Sequence, residues 1–280
     1  MSKKDLKLIG TVPRDLDGSR RLEGLLNLLS PEVIALVHPK NIDYSKIFQE
    51  IERKKKGIRK YNSRIERTLT KDQRNLLRRA EATLIEAELY EMRSCMGYNR
   101  SHPSSILRCI DPLDLKSKVN TNTLILGLEE INPSELERDM DLVRKEIMKC
   151  RLEKDLAYFL GELRSDPGVL YRNPEMIRTL LGPHPFPTKE EFNDPVIAKR
   201  YASTKELQET REIYSPYRFE GMEREVRKLY DSGKKRLAVV VGVTLISKVE
   251  SMIQDLNPSI ITLEDFDRLS KSQKPSHELN

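Results

Sequence analysis

The run Leu-Ala-Val-Val-Val-Gly at 237–242 is apolar at every position before its glycine, without alternation. A strand of that kind is buried on both faces, which suits a parallel sheet covered by helices on both sides. A helix face follows in Val249, Met252, Ile253 and Leu256, Asn257-Pro258 ends it, and residues 259–263 form another strand. The first 40 residues have the same form. Residues 7–12 are a short strand turning at Gly10, and Leu22, Leu25, Leu26 and Leu29 share one helical face. Ser19 or Asp17 stands where a helix cap is needed, Pro31 resets the chain, and residues 33–37 are a second apolar run. Two β–α–β units with short turns predict an α/β fold with a central, largely parallel or mixed sheet.

Between these units the sequence reads as a long helical insertion, about 44–205. Ile47, Ile51, Ile58, Ile65 and Leu69, then Leu76, Leu77, Ala80 and Leu84, predict two helices, the second starting at Thr70. Thr70 with Gln73, and Thr188 with Glu191, have the spacing of capping boxes. Asn132-Pro133-Ser134-Glu135 opens a further helix, expected to run to about Leu163. The proline-rich stretch 182–187 reads as a rigid loop. The expected organisation is one α/β domain over 1–266 and a disordered tail over 267–280.

Charge is uneven. Net charge is +6, yet from Arg53 to Arg79 twelve Lys or Arg face only Glu66 and Asp72. Lys54, Lys55, Lys56, Arg59 and Lys60 are the densest part and are candidates for binding nucleic acid or an anionic surface. The alternative is a solvated helix face; Tyr61 is the one aromatic there, so base stacking has little support. Glu81, Glu86, Glu88 and Glu91 either ligate a metal or balance Arg78 and Arg79 on a helix surface.

No run approaches the roughly 20 apolar residues of a membrane span, and no signal-peptide core follows the N-terminus, so a cytoplasmic location is expected. Cys95, Cys109 and Cys150 are too scattered for a zinc site or a disulfide framework. Of His38, His102, His184 and His277, no two share a helical turn. No metal and no cofactor are expected.

The chemistry-bearing candidates sit at strand ends. Gly10 and Gly242 close the two main strands, where ligands bind in open α/β sheets; a plain βα turn is the alternative. Thr11 and Thr244 follow as hydroxyls able to donate to a ligand or to bond locally with the backbone.

Leu8-Ile-Gly-Thr-Val-Pro13, Ser30-Pro-Glu-Val-Ile-Ala-Leu-Val37 and Ala238-Val-Val-Val-Gly-Val-Thr-Leu245 together resemble the TraB/PrgY-like family, within the wider group of Tiki-type proteases and ChaN-like proteins. The resemblance covers about 6–40 and 214–266; the middle is similar only in being helical. It implies a cleft at the strand ends and, in the family, a metal-dependent hydrolase. The departures are specific. The family's first histidine falls at Pro13, its acidic residue at Val37 and its second histidine at Leu245. Arg218 is kept, four residues before Met222, but the acid preceding it is replaced by Tyr217. Proline, valine and leucine neither ligate a metal nor move a proton. His38 is no substitute if Val37 faces the site, because adjacent strand residues face opposite ways. Arg218 either holds an anion or pairs with a carboxylate at a neighbouring strand end, such as Asp15 or Asp17.

The expectation is a non-catalytic, TraB-like protein that binds a small molecule, peptide or protein at the strand ends. A hydrolase with relocated residues drawn from Arg218, Thr11, Thr244, His38 and Asp15 is the second reading. Phosphate binding through 53–79 is the third. The apolar stripes of the insertion also suit a homo-oligomer.

Overall fold

The structure is a computed structural model describing residues 4–40, 43–113, 133–148, 156, 159–160, 167–172, 188–196 and 215–272. Five strands form one parallel sheet: β1 (Asp5–Thr11), β2 (Val33–Pro39), β3 (Ile106–Asp111), β4 (Arg236–Gly242) and β5 (Ser259–Thr262). Their order across the sheet is β3-β2-β4-β1-β5. The two end units therefore interleave, since β4 inserts between β1 and β2.

The helices are α1 (Gly18–Leu29), α2 (Tyr44–Ile65), α3 (Lys71–Ala87), α4 (Tyr90–Ser101), α5 (Pro133–Met148), α6 (Pro167–Arg172), α7 (Lys189–Asn193), α8 (Pro216–Tyr230), α9 (Val243–Met252) and α10 (Leu263–Ser272). Alternation along the strands sends residues to two cores. Ile9, Ile34, Leu36, Ala238 and Val240 pack with α1, α4 and α10. Leu8, Val33, Ala35, Val239 and Val241 pack with Val226 of α8 and with Ile246 and Val249 of α9. Each fully buried Val, Leu or Ile among them contributes about 1.5–3 kcal/mol by leaving water.

A third core belongs to the insertion. Ile58, Leu77, Leu84, Leu136, Met140 and Val143 join α2, α3 and α5. A polar chain runs beside it: Arg144 Nε donates to Asn62 Oδ1 at 2.7 Å, Asn62 Nδ2 to Glu81 Oε2 at 2.8 Å, and Arg59 Nε to Glu81 Oε1 at 2.9 Å. Glu81 is thus a buried acceptor, where the sequence suggested a surface balance with Arg78 and Arg79. Arg78 binds Glu66.

Several local expectations change. The middle contributes a strand, β3, as well as helices. The stretch after Thr70 is two helices, because Leu89 adopts φ 50° and breaks the run. Both capping boxes form, at Thr70–Gln73 and Thr188–Glu191. Asp17 occupies the N-cap of α1 without a side-chain cap bond. Helix α10 continues to Ser272, beyond the start of the expected tail at 267; residues 273–280 lie outside the described residues. So do the 182–187 loop, Cys150, His184 and His277, and most of the proposed helix between Met148 and Leu163. No helix among the described residues is long and apolar enough to cross a membrane.

Candidate functional site

The strand order defines the site. From β1 the chain moves toward β2 and β3 by way of α1. From β4 it moves the other way, to β5, by way of α9, which packs on the opposite face. β1 and β4 are neighbours, so their carboxyl ends form a switch point where the chain leaves in opposite directions. Such points open a crevice that binds ligands in α/β sheets. Thr11 and Gly242 are paired across it.

The two glycines play different parts. A Cβ at Gly10 would meet Val243 Cγ1 and Ile246 Cδ1 at 3.1 Å, so its bareness lets α9 approach β1. A Cβ at Gly242 would meet only Thr244 Oγ1, at 3.8 Å. Thr11 is 1% exposed, and its Oγ1 has no hydrogen-bond partner among the described residues. Paired residues of a parallel sheet project to the same face, so the Thr11 side chain stands beside the place where Gly242 has none. Helix α9 starts directly after Gly242, with no side-chain cap and no acid in its first turn. Thr244 is half-buried in that turn.

Around the β1 end lies a dense set of buried polar groups that the strand-end motifs do not announce. Val12 N–H donates to Tyr171 Oη at 3.1 Å, Tyr90 Oη donates to Val12 O at 2.9 Å, and Tyr171 Oη donates to Asp15 Oδ2 at 2.8 Å. Arg14, at φ 58°, donates from Nε to Glu88 Oε1 at 3.2 Å and from Nη2 to Asp139 Oδ2 at 3.0 Å. Glu88 and Asp139 are 1% and 0% exposed. Glu91 is also buried and meets His38 Nε2 at 3.3 Å. Glu88 and Glu91 therefore have partners on other elements. A signal for them did exist: Asp139 falls between Leu136 and Val143 on the apolar stripe of α5, and Glu88 continues the stripe of Leu77, Glu81 and Leu84.

Burial pushes the Asp15 carboxyl above its ordinary range, against the opposing effects of the Asp17 N–H, the Tyr171 hydroxyl and Arg21. Burial, reinforced by Asp15, pushes the Tyr171 hydroxyl well up. Native Asp15 thus holds its proton to a higher pH than the unfolded chain does. Its contribution is fully present below the ordinary carboxylate value and is lost as pH rises through the raised one. Asp15→Asn removes this titration. Urea unfolding from about pH 4 upward should show wild-type stability falling relative to the variant. A difference that stays constant with pH would refute the assignment.

The remaining candidates do not converge on the switch point. Arg218 Nε donates to Asp111 Oδ1 at 2.9 Å, and Nη2 donates to Oδ2. Its carboxylate partner at a strand end is therefore Asp111 of β3, not Asp15 or Asp17. β3 lies two strands from β4, about 10 Å across the sheet. His38 faces Glu91 on α4, while Val37 packs on the α8/α9 side together with Leu245. Arg218, His38 and Asp15 are thus each engaged with a different carboxylate or hydroxyl. Cys95 lies in the core, and burial raises Cys109 to about 11, so neither favours a thiolate. Among the described residues, no three His, Cys, Asp or Glu converge to hold a metal ion.

Of the basic candidates, Lys54 binds Glu137 at 3.0 Å, Lys55 binds Glu52 at 3.1 Å and Arg59 binds Glu81. Lys56 and Lys60 are exposed and make no ion pair among the described residues. Comparison of the chain with models of known families, with curated proteins and with solved structures finds no match in any of the three.

Proposed function

We propose that this is a non-catalytic binding protein of TraB-like architecture, whose ligand seat is the β1/β4 switch point formed by Thr11, Gly242 and Thr244. The observation that carries the reading is the Thr11 hydroxyl, buried at the β1 end and without a partner among the described residues. Leaving such a group unbonded costs about 1–3 kcal/mol. A ligand acceptor atom would recover that cost. The uncapped N–H groups of α9 favour the same chemistry, so the ligand carries a carboxylate, phosphate or similar acceptor. Non-catalysis is supported by the apolar packing of Val37 and Leu245, where the family has an acid and a histidine.

The test is Thr11→Val, with inorganic phosphate and succinate as probes. Val matches the shape of Thr and removes the unbonded hydroxyl. The variant without ligand should be at least as stable as wild type. A probe at a hundredfold excess over its Kd should stabilise wild type by about 2.7 kcal/mol, and the variant by much less. A variant markedly less stable than wild type without ligand would refute the seat. Stoichiometric bound metal, or peptide hydrolysis abolished by a chelator, would refute non-catalysis.

A further inference from the structure

Helix α2 carries a strip of cations that, beyond its first member, makes no ion pair among the described residues. Arg53, Lys56, Lys60 and Arg64 recur at spacings of three and four, and Arg67 continues the line into the 3-10 turn Glu66–Thr68. At 3.6 residues per turn these five fall within an arc of about 80°. All five are exposed. The nearby carboxylates are engaged elsewhere or at the end of the strip: Glu50 binds Arg53, Glu52 binds Lys55, and Glu66 binds Arg78. Lys56, Lys60, Arg64 and Arg67 make no ion pair among the described residues.

Like charges four apart on a helix repel, so Lys56–Lys60–Arg64 costs helix stability that a merely solvated face would relieve with interspersed acids. On the side toward α3 and α5, Arg59 and Lys54 meet Glu81 and Glu137 of those helices; beyond Arg53, which binds Glu50, the strip meets no acid among the described residues. From Arg53 to Arg64 it extends about 17 Å, over which duplex DNA presents about ten phosphate charges.

The chemistry of the strip selects among anionic partners. It carries no aromatic ring. Tyr61 lies to its side, with the Arg144 guanidinium 4.5 Å from the ring centroid. Base stacking, which holds single strands, is therefore missing. Tyr61 is also the one exposed large apolar side chain on α2, so nothing there inserts into a bilayer. We infer that the strip Arg53–Lys56–Lys60–Arg64–Arg67 binds the phosphate backbone of double-stranded nucleic acid without reading its sequence.

Full-length protein is titrated with two labelled duplex DNAs of unrelated sequence, a duplex RNA, a single strand, and phosphatidylserine-containing vesicles. Equal affinity for the two DNA duplexes is expected. The logarithm of the binding constant should fall against that of salt with a slope of about −4. The triple variant Lys56→Glu, Lys60→Glu, Arg64→Glu should bind more than tenfold more weakly, and its slope should be smaller by about three. These side chains are exposed, so circular dichroism should be unchanged. Lys54→Gln with Lys55→Gln, which alters paired cations beside the strip, should retain most of the affinity. The inference is overturned if wild type does not bind duplex, if the triple variant binds within twofold of wild type, or if single strand or vesicles bind more tightly than duplex.

Discussion

Arg218→Met is expected to destabilise the protein by about 3–5 kcal/mol, read as a fall in the urea midpoint at unchanged slope. The side chains of Arg218 and Asp111 are 7% and 1% exposed. Removing the guanidinium leaves a carboxylate out of water with the Leu113 N–H, at 3.0 Å, as the one remaining donor to it among the described residues. That uncompensated charge, more than the lost pair itself, sets the cost. The pair also joins α8 to the end of β3, so the loss falls on the packing of a whole helix. Adding Asp111→Asn should recover more than half of the loss, because the amide oxygen can keep the Leu113 N–H and no charge stays buried. If Arg218→Met costs less than about 1 kcal/mol, the arginine is not a structural tie, and a ligand role returns.

The sequence makes the parallel sheet legible for a simple physical reason. Residues 237–241 and 33–37 are apolar at successive positions because both faces of β4 and β2 are covered, so burial is written into every residue. β3 escapes notice because it lies at the sheet edge: Arg108 is exposed and Ile106, Leu107 and Cys109 are only half-buried. The break at Leu89 carries no glycine or proline to mark it. Its φ of 50° is held by burial of Leu89 and by Tyr90 reaching Val12. Thr11 and Gly242 could be named as strand-end residues, but only the strand order makes them neighbours. Arg218 could be named as one half of an ion pair, but its other half, Asp111, lies in the strand that went unread. Cations 53–60 read as one dense group. Ion pairs, within α2 and with α3 and α5, divide them into paired members and an exposed line.

Arg14→Met should have the largest effect of any single replacement considered, at or above the upper end of the 3–5 kcal/mol range for a broken buried pair. One guanidinium serves two carboxylates, Glu88 at the α3–α4 break and Asp139 on α5, separated from it by 74 and 125 residues. The three side chains are at most 9% exposed. Without Arg14 both acids remain buried at short range from one another, and repulsion adds to lost solvation. Arg14 joins the β1–α1 turn to the insertion, so its loss should loosen α5 and the α3–α4 break before the sheet. Hydrogen exchange is therefore expected to speed up first in 133–148 and around 85–92, while β1 and β4 stay protected. Combining Arg14→Met with Glu88→Gln and Asp139→Asn should restore much of the stability, since the uncompensated charges are then gone. If the triple replacement is as unstable as Arg14→Met alone, electrostatics is not the cause, and packing of the arginine stem must be.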